Sequence, residues 1–166
     1  MTDSDSRRRT STEGLRFGAS AQLTADLQAV LIDLIELHLQ AKQAHWNLVG
    51  TNFRDLHRQL DEVVDLARNG ADTIAERMRA IQATPDGRSD TVVSTTTLPA
   101  FPPGEQATSA IVDLVTGRIA AATTTARAVL DTVGPEDPPS TDLLHTVIND
   151  LEKQAWMLSA ESATGR

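Results

Sequence analysis

From Leu23 to Leu48 the apolar positions Leu23, Leu27, Val30, Leu31, Leu34, Leu37, Ala41, Ala44 and Leu48 recur three and four residues apart, the period of one helical face. The pattern predicts a long amphipathic helix from Ser20 to about Asn47. Gly50 suits a left-handed stop, and Thr51 or Asn52 can cap the next helix. A second helix is predicted from about Phe53 to Ala83, ahead of Pro85, with Phe53, Leu56, Leu60, Val63, Val64, Ala67, Ala71, Ile74, Met78 and Ile81 on its buried side. Its polar side carries His57, Asp61, Asp65, Arg68, Asp72 and Glu76. Residues 84–104 contain Pro85, Gly87, Pro99, Pro102, Pro103 and Gly104 and read as a long irregular connection with room for a short helical turn within 86–97. A third helix is predicted over about Glu105–Val133, closed by Gly134 and Pro135, and a fourth over about Ser140–Ser162. Four long helices and one long connection predict an all-α four-helix bundle over residues 19–162, between an N-terminal tail, 1–18, and a short C-terminal tail, 163–166.

The length of 166 residues is one domain's worth of chain and enough to bury a core. No cysteine is present, so disulfides and thiolate sites are excluded, and any metal must be held by nitrogen and oxygen. A net charge of −8 argues against a main surface that tracks a phosphate backbone and favours cations as partners. With three Phe, two Trp and no Tyr, stacking platforms for single strands are not expected. The N-terminus lacks the apolar segment of a signal peptide, and no apolar run approaches the roughly 18 residues of a membrane span. A soluble, cytoplasmic protein without membrane contact is expected. The polar tail contains Arg7, Arg8 and Arg9, a candidate arm for sequence-independent DNA contact, but Asp3, Asp5 and Glu13 nearly offset them, and an ordinary solvated terminus fits equally well.

The second helix also carries candidate chemistry. His57 with Asp61 and Asp72 with Glu76 are i, i+4 pairs, so each pair shares a helical face, and His45 stands just before the glycine break. Charged pairs on a helix are usually only a solvated face, so the spacing must decide. At about 1.5 Å per residue, His57 and Asp72 lie roughly 22 Å apart along one axis and cannot share a metal within one chain. The two pairs are centred near position 66 or 67. A twofold axis crossing there would bring the Asp72 and Glu76 of an antiparallel mate opposite His57 and Asp61, making two identical sites per dimer. Such a nitrogen and oxygen set suits iron and is also usable by zinc or manganese. The Glu-x-x-His motif of self-contained di-iron bundles occurs nowhere in the chain.

The run His45-Trp46-Asn47, with Gly50, Phe53, Leu56-His57, Leu60-Asp61-Glu62, Asp72 and Ala75-Glu76-Arg77, resembles the signature of the Dps family, the DNA-binding proteins from starved cells. The similarity extends through the proline-rich connection to Glu152-Lys153-Gln154-Ala155-Trp156-Met157-Leu158 and fades in the tail. The resemblance implies a ferritin-like bundle assembled as a hollow homo-dodecamer of twofold dimers. Fe(II) would be oxidised between twofold-related subunits, by hydrogen peroxide in preference to oxygen, and stored as Fe(III) mineral. His45, His57 and Asp61 would come from one subunit and Asp72 and Glu76 from its mate. DNA binding is implied only where a member's tail supports it.

The resemblance bears on other residues as well. Trp46, beside His45, is expected either to anchor the core or to donate an electron near the oxidation site. Trp156 is expected to pack, and His38 and His145 to be surface or core residues. Asp65 and Arg68 either pair across the twofold axis or are separately solvated. Glu136, Asp137 and Asp142 cluster at the start of the fourth helix, where family members line a threefold pore with carboxylates. Asp142, then Asp137, are the candidate pore ligands, although acids there also complement the helix dipole. Three functional readings are open: a ferroxidase and iron-storing cage, a nucleoid-packing protein acting through its tail, and a purely structural helical assembly.

Overall fold

The computed structural model describes residues 17–162. Helix α1 spans Ala21–Asn47 and α2 spans Phe53–Ala80; α3 covers Ser89–Thr95, α4 Thr108–Ala128, α5 Leu130–Glu136 and α6 Pro138–Ser162. Two-residue strands β1, Leu48–Val49, and β2, Gln106–Ala107, pair in parallel, Leu48 with Gln106 and Val49 with Ala107. The long helices α1, α2, α4 and α6 form the bundle: α1 lies against α2 and α4, and α6 against α4 and α2. The apolar stripe of α1 is buried throughout, and Leu27, Leu37, Leu60, Val63, Ile74, Ile111 and Leu158 are sealed in the bundle core. No helix among the described residues is long and apolar enough to cross a membrane.

Local chemistry sets the helix boundaries. Ser20 caps α1 by accepting the Leu23 N–H at 3.1 Å. Asn52 enters α2 in the left-handed region, φ 59°, without a side-chain cap bond to that helix. The predicted end of the second helix near Ala83 is three residues too late. Gln82 takes φ 64°, its N–H bonds to the Arg79 carbonyl at 3.2 Å, and the Ala83 N–H reaches the Met78 carbonyl at 2.8 Å. That pair of bonds is the Schellman stop, built here on glutamine instead of glycine.

The predicted third helix is broken at Val129 and resumes as α5, which runs through Gly134 and Pro135 to Glu136. Just before the break the hydroxyls of Thr123 and Thr124 donate to the carbonyls of Ile119 and Ala120 at 2.9 and 2.7 Å. Such back-bonding competes with the backbone ladder and bends helices. Helix α6 begins at Pro138, two residues before the predicted start, because proline's missing N–H is not needed in a first turn.

The long connection is fastened by polar groups. Asp33 of α1 is 1% exposed, and its carboxylate accepts the Thr96 hydroxyl at 2.9 Å, the Thr97 N–H at 2.8 Å, the Thr97 hydroxyl at 2.6 Å and the Thr125 hydroxyl at 2.7 Å. Buried Arg118 of α4 donates to Gln40 at 2.8 Å and to the Ala100 carbonyl at 2.9 Å, while Gln40 donates to the Pro99 carbonyl at 3.1 Å. The connection is therefore tied to α1 and α4 before β2 pairs with β1, immediately after the His45–Asn47 segment.

Phe53 and Trp156, expected to pack, are exposed within the chain, and so is Trp46, for which core anchoring was one of two readings. Phe53 is 46% exposed, and Trp46 and Trp156 are each 68% exposed. None of the three anchors the core of a single chain, and Trp156 does not pack there as expected.

Candidate metal centre

His45 lies in the last turn of α1 and His57 in the first turns of α2, so the short Leu48–Asn52 connection folds the two histidines together. Their rings stack with centroids 3.6 Å apart and planes 24° apart. Each ring also binds the other residue's backbone: His45 Nδ1 is 2.8 Å from the His57 carbonyl oxygen, and His57 Nδ1 is 3.0 Å from that of His45. A carbonyl only accepts, so Nδ1 carries a proton in both rings, and Nε2 is the nitrogen left to face an ion. Hydrogen bonds of this kind, made by the nitrogen that does not face the ion, orient metal-binding imidazoles.

Asp61 lies one turn beyond His57, with Oδ1 3.2 Å from His45 Nδ1. Lys42 Nζ approaches the same oxygen at 2.6 Å and stands 6.0 Å from the centre of the Trp46 ring. The hydrogen bond from Lys42 is the main cause holding the Asp61 carboxyl below its ordinary value, against a smaller upward push from burial. Asp61 is thus an ionised carboxylate at neutral pH. Lys42 belongs to no motif in the sequence, although its place three residues before His45 puts it on the same helical face. Phe53, expected in the core, instead stacks on His57 at 5.2 Å between centroids and 24° between planes.

Asp72 and Glu76 lie on α2 on the far side of the position 66–67 midpoint, and Asp72 is exposed. Around that midpoint Asp65, Arg68, Asn69 and Asp72 of α2 face Ile35 and His38 of α1 across an open hollow of about 440 Å³. His38 is half-buried, and burial is the main cause lowering its pKa. Among the described residues, no three His, Asp or Glu side chains of one chain form a complete metal-holding group. One chain brings His45, His57 and Asp61 together and keeps Asp72 and Glu76 apart from them.

The candidate pore residues are treated unequally. Asp142 is exposed, whereas Asp137 is buried and held by Arg77, whose Nη2 and Nε donate to it at 2.5 and 3.0 Å, and by the Ser140 hydroxyl. Glu136 accepts the Ser20 N–H at 2.8 Å and its hydroxyl at 2.7 Å. Asp137 therefore offers no free carboxylate to a passing cation, and the geometry gives it a fastening role between α2 and α6. Burial raises its pKa most, but the hydrogen bonds from Arg77 and Ser140 and the Arg77 charge together take it below the ordinary value. A depressed carboxyl stabilises the fold above its unfolded pKa, about 4, and that contribution is lost as pH falls through the folded value. Asp137→Ala, which leaves Arg77 unpaired, is expected to cost about 3 kcal/mol in denaturant unfolding at pH 7, and the cost should shrink as pH falls through the folded-state value. Arg7, Arg8 and Arg9 lie outside the described residues.

Paired long helices and a fastened crossover define the class as a ferritin-like bundle, and residues 24–165 match the family described as Ferritin-like domain. The chain is 34% identical over 143 residues to the DNA protection during starvation protein of Agrobacterium fabrum, covering 86% of this chain and 88% of that one. It is 36% identical over 152 residues to the fine tangled pili major subunit of Haemophilus ducreyi, covering 92% and 80%. The structure of Dps from Microbacterium arborescens in the high iron form superposes with a TM-score of 0.81 at 31% identity, covering 89% and 99%. The chain belongs to the Dps family.

Proposed function

We propose that this protein is a ferroxidase that oxidises Fe(II) with hydrogen peroxide at sites between twofold-related subunits and sequesters Fe(III) mineral inside a homo-dodecameric shell, limiting oxidative damage to DNA. The observation that carries it is the half-site: His45 and His57 locked with Nε2 free beside ionised Asp61, on the helix whose Asp72 and Glu76 lie roughly 22 Å away. A mate placed antiparallel across position 66–67 supplies the missing carboxylates, and the hollow at that position is where its surface would meet this one.

Fe(II) is the substrate, bound by three groups of one subunit and two of its mate. Each peroxide takes one electron from each of two Fe(II); its O–O bond breaks, and with two protons it leaves as two waters. Few and mixed ligands favour release of the oxidised ion over retention, as storage requires. Trp46, exposed beside His45, would supply an electron to a stray oxidant, and exposed Asp142 would draw cations toward the shell. Fe(II) added with peroxide to the purified protein should give a soluble mineral that co-elutes with a particle of about dodecamer size. A monomer that leaves iron in solution would contradict the proposal.

A second activity, non-specific DNA binding, is favoured by Arg7, Arg8 and Arg9 together with relatives named for DNA protection. Removing residues 1–16 is then expected to abolish a low-salt mobility shift without changing iron oxidation. A shift that survives the truncation assigns the contact elsewhere.

A further inference from the structure

Phe53 is a large apolar side chain left half in solvent at the first position of α2, where nothing in the core requires it. It sits one turn before His57, so both rings project from the same face. Both His45 and Phe53 stack on His57 with planes 24° apart, at 3.6 and 5.2 Å between centroids, so His57 is the ring that the other two share. Its Nδ1 bond to the His45 carbonyl fixes one edge of the imidazole but leaves the ring free to tilt about that bond on the side away from His45.

We propose that Phe53 is a positioning residue for the metal site: its ring closes the open face of His57 and holds Nε2 in the orientation that receives the ion. The inference rests on the proposed metal-binding role of His57. An aliphatic side chain of similar bulk covers the same surface but offers no flat face, so planarity separates positioning from simple burial.

The test is titration of Co(II), a divalent ion that peroxide-free buffer leaves unoxidised, into the assembled protein by calorimetry, with particle size checked by light scattering. Phe53→Leu is expected to weaken Co(II) binding about 10-fold at unchanged particle size, as loss of a ligand's supporting contact does. Phe53→Tyr, which keeps the ring, is expected to bind within about twofold of the parent, by the same reasoning. A Phe53→Leu protein that binds Co(II) like the parent, while His57→Ala loses it, overturns the positioning role and leaves the site standing. Equal weakening in Phe53→Leu and Phe53→Tyr overturns it as well, because the ring face would then be irrelevant. Co(II) binding that His57→Ala does not alter overturns both this inference and the metal site beneath it.

Discussion

Replacing His57 and Asp61 together by alanine is expected to lower peroxide-driven Fe(II) oxidation by at least about 100-fold, above the loss seen when only the groups supporting a metal's ligands are removed. The two side chains share a face of α2, and neither has a substitute nearby: His45 is held by its own Nδ1 bond, and Lys42 becomes an uncompensated cation once Asp61 is gone. A lysine left without its carboxylate repels Fe(II), so losing Asp61 removes a ligand and adds a barrier. The fold should survive, because Asp61 is half exposed and the apolar side of α2 is untouched. Initial rates of Fe(III) formation, followed optically in assembled particles, measure the effect. Retention of most of the parental rate would remove these residues from the site.

The second large effect is on stability. Asp33→Ala is expected to cost about 3 kcal/mol or more, because one buried carboxylate serves four donors from two separate stretches. Hydrogen bonds to a charged group contribute about 1.5–3 kcal/mol each when broken singly, and removing the shared acceptor strands the Thr97 N–H and three hydroxyls together. Their sum is not additive, since the connection can relax toward water once released. The predicted signature is a lower denaturant midpoint together with faster proteolysis within residues 96–107. Asp33→Asn, which keeps one acceptor oxygen, should fall between. A midpoint unchanged in Asp33→Ala would show that the connection is held by Arg118, Gln40 and the β1–β2 pairing instead.

The bundle was legible because its signal is periodic. Every apolar position assigned to the first helix is buried, and the same holds for the second except at Phe53 and Val64. Phe53 departs from the pattern because it stands at a helix end with no neighbour above it; helical spacing alone cannot tell a core-facing aromatic from one that covers a histidine. Trp156 departs for a related reason, since a single chain offers nothing to cover it.

Boundaries slipped where the stop carried no glycine or proline mark, as at Gln82, and where side-chain hydroxyls weakened a ladder from within, as before Val129. Long-range polar pairs were invisible. Nothing in the sequence links Arg77 to Asp137 or Asp33 to Thr97, whose partners lie about sixty residues apart. The ligand candidates were visible because i, i+4 spacing is itself geometry, but the tautomers of His45 and His57 depend on how the Leu48–Asn52 connection folds back.

If each site is divided between two chains, as proposed, subunit mixing will restore activity. Chains carrying His57→Ala with Asp61→Ala, and chains carrying Asp72→Ala with Glu76→Ala, should each be inactive alone. In random co-assembly about half of the twofold dimers contain one of each, and each of these has one intact and one doubly damaged site. Co-expressed mixed particles should therefore recover about a quarter of the parental Fe(II) oxidation rate. Mixed particles no more active than either variant alone would contradict the divided site.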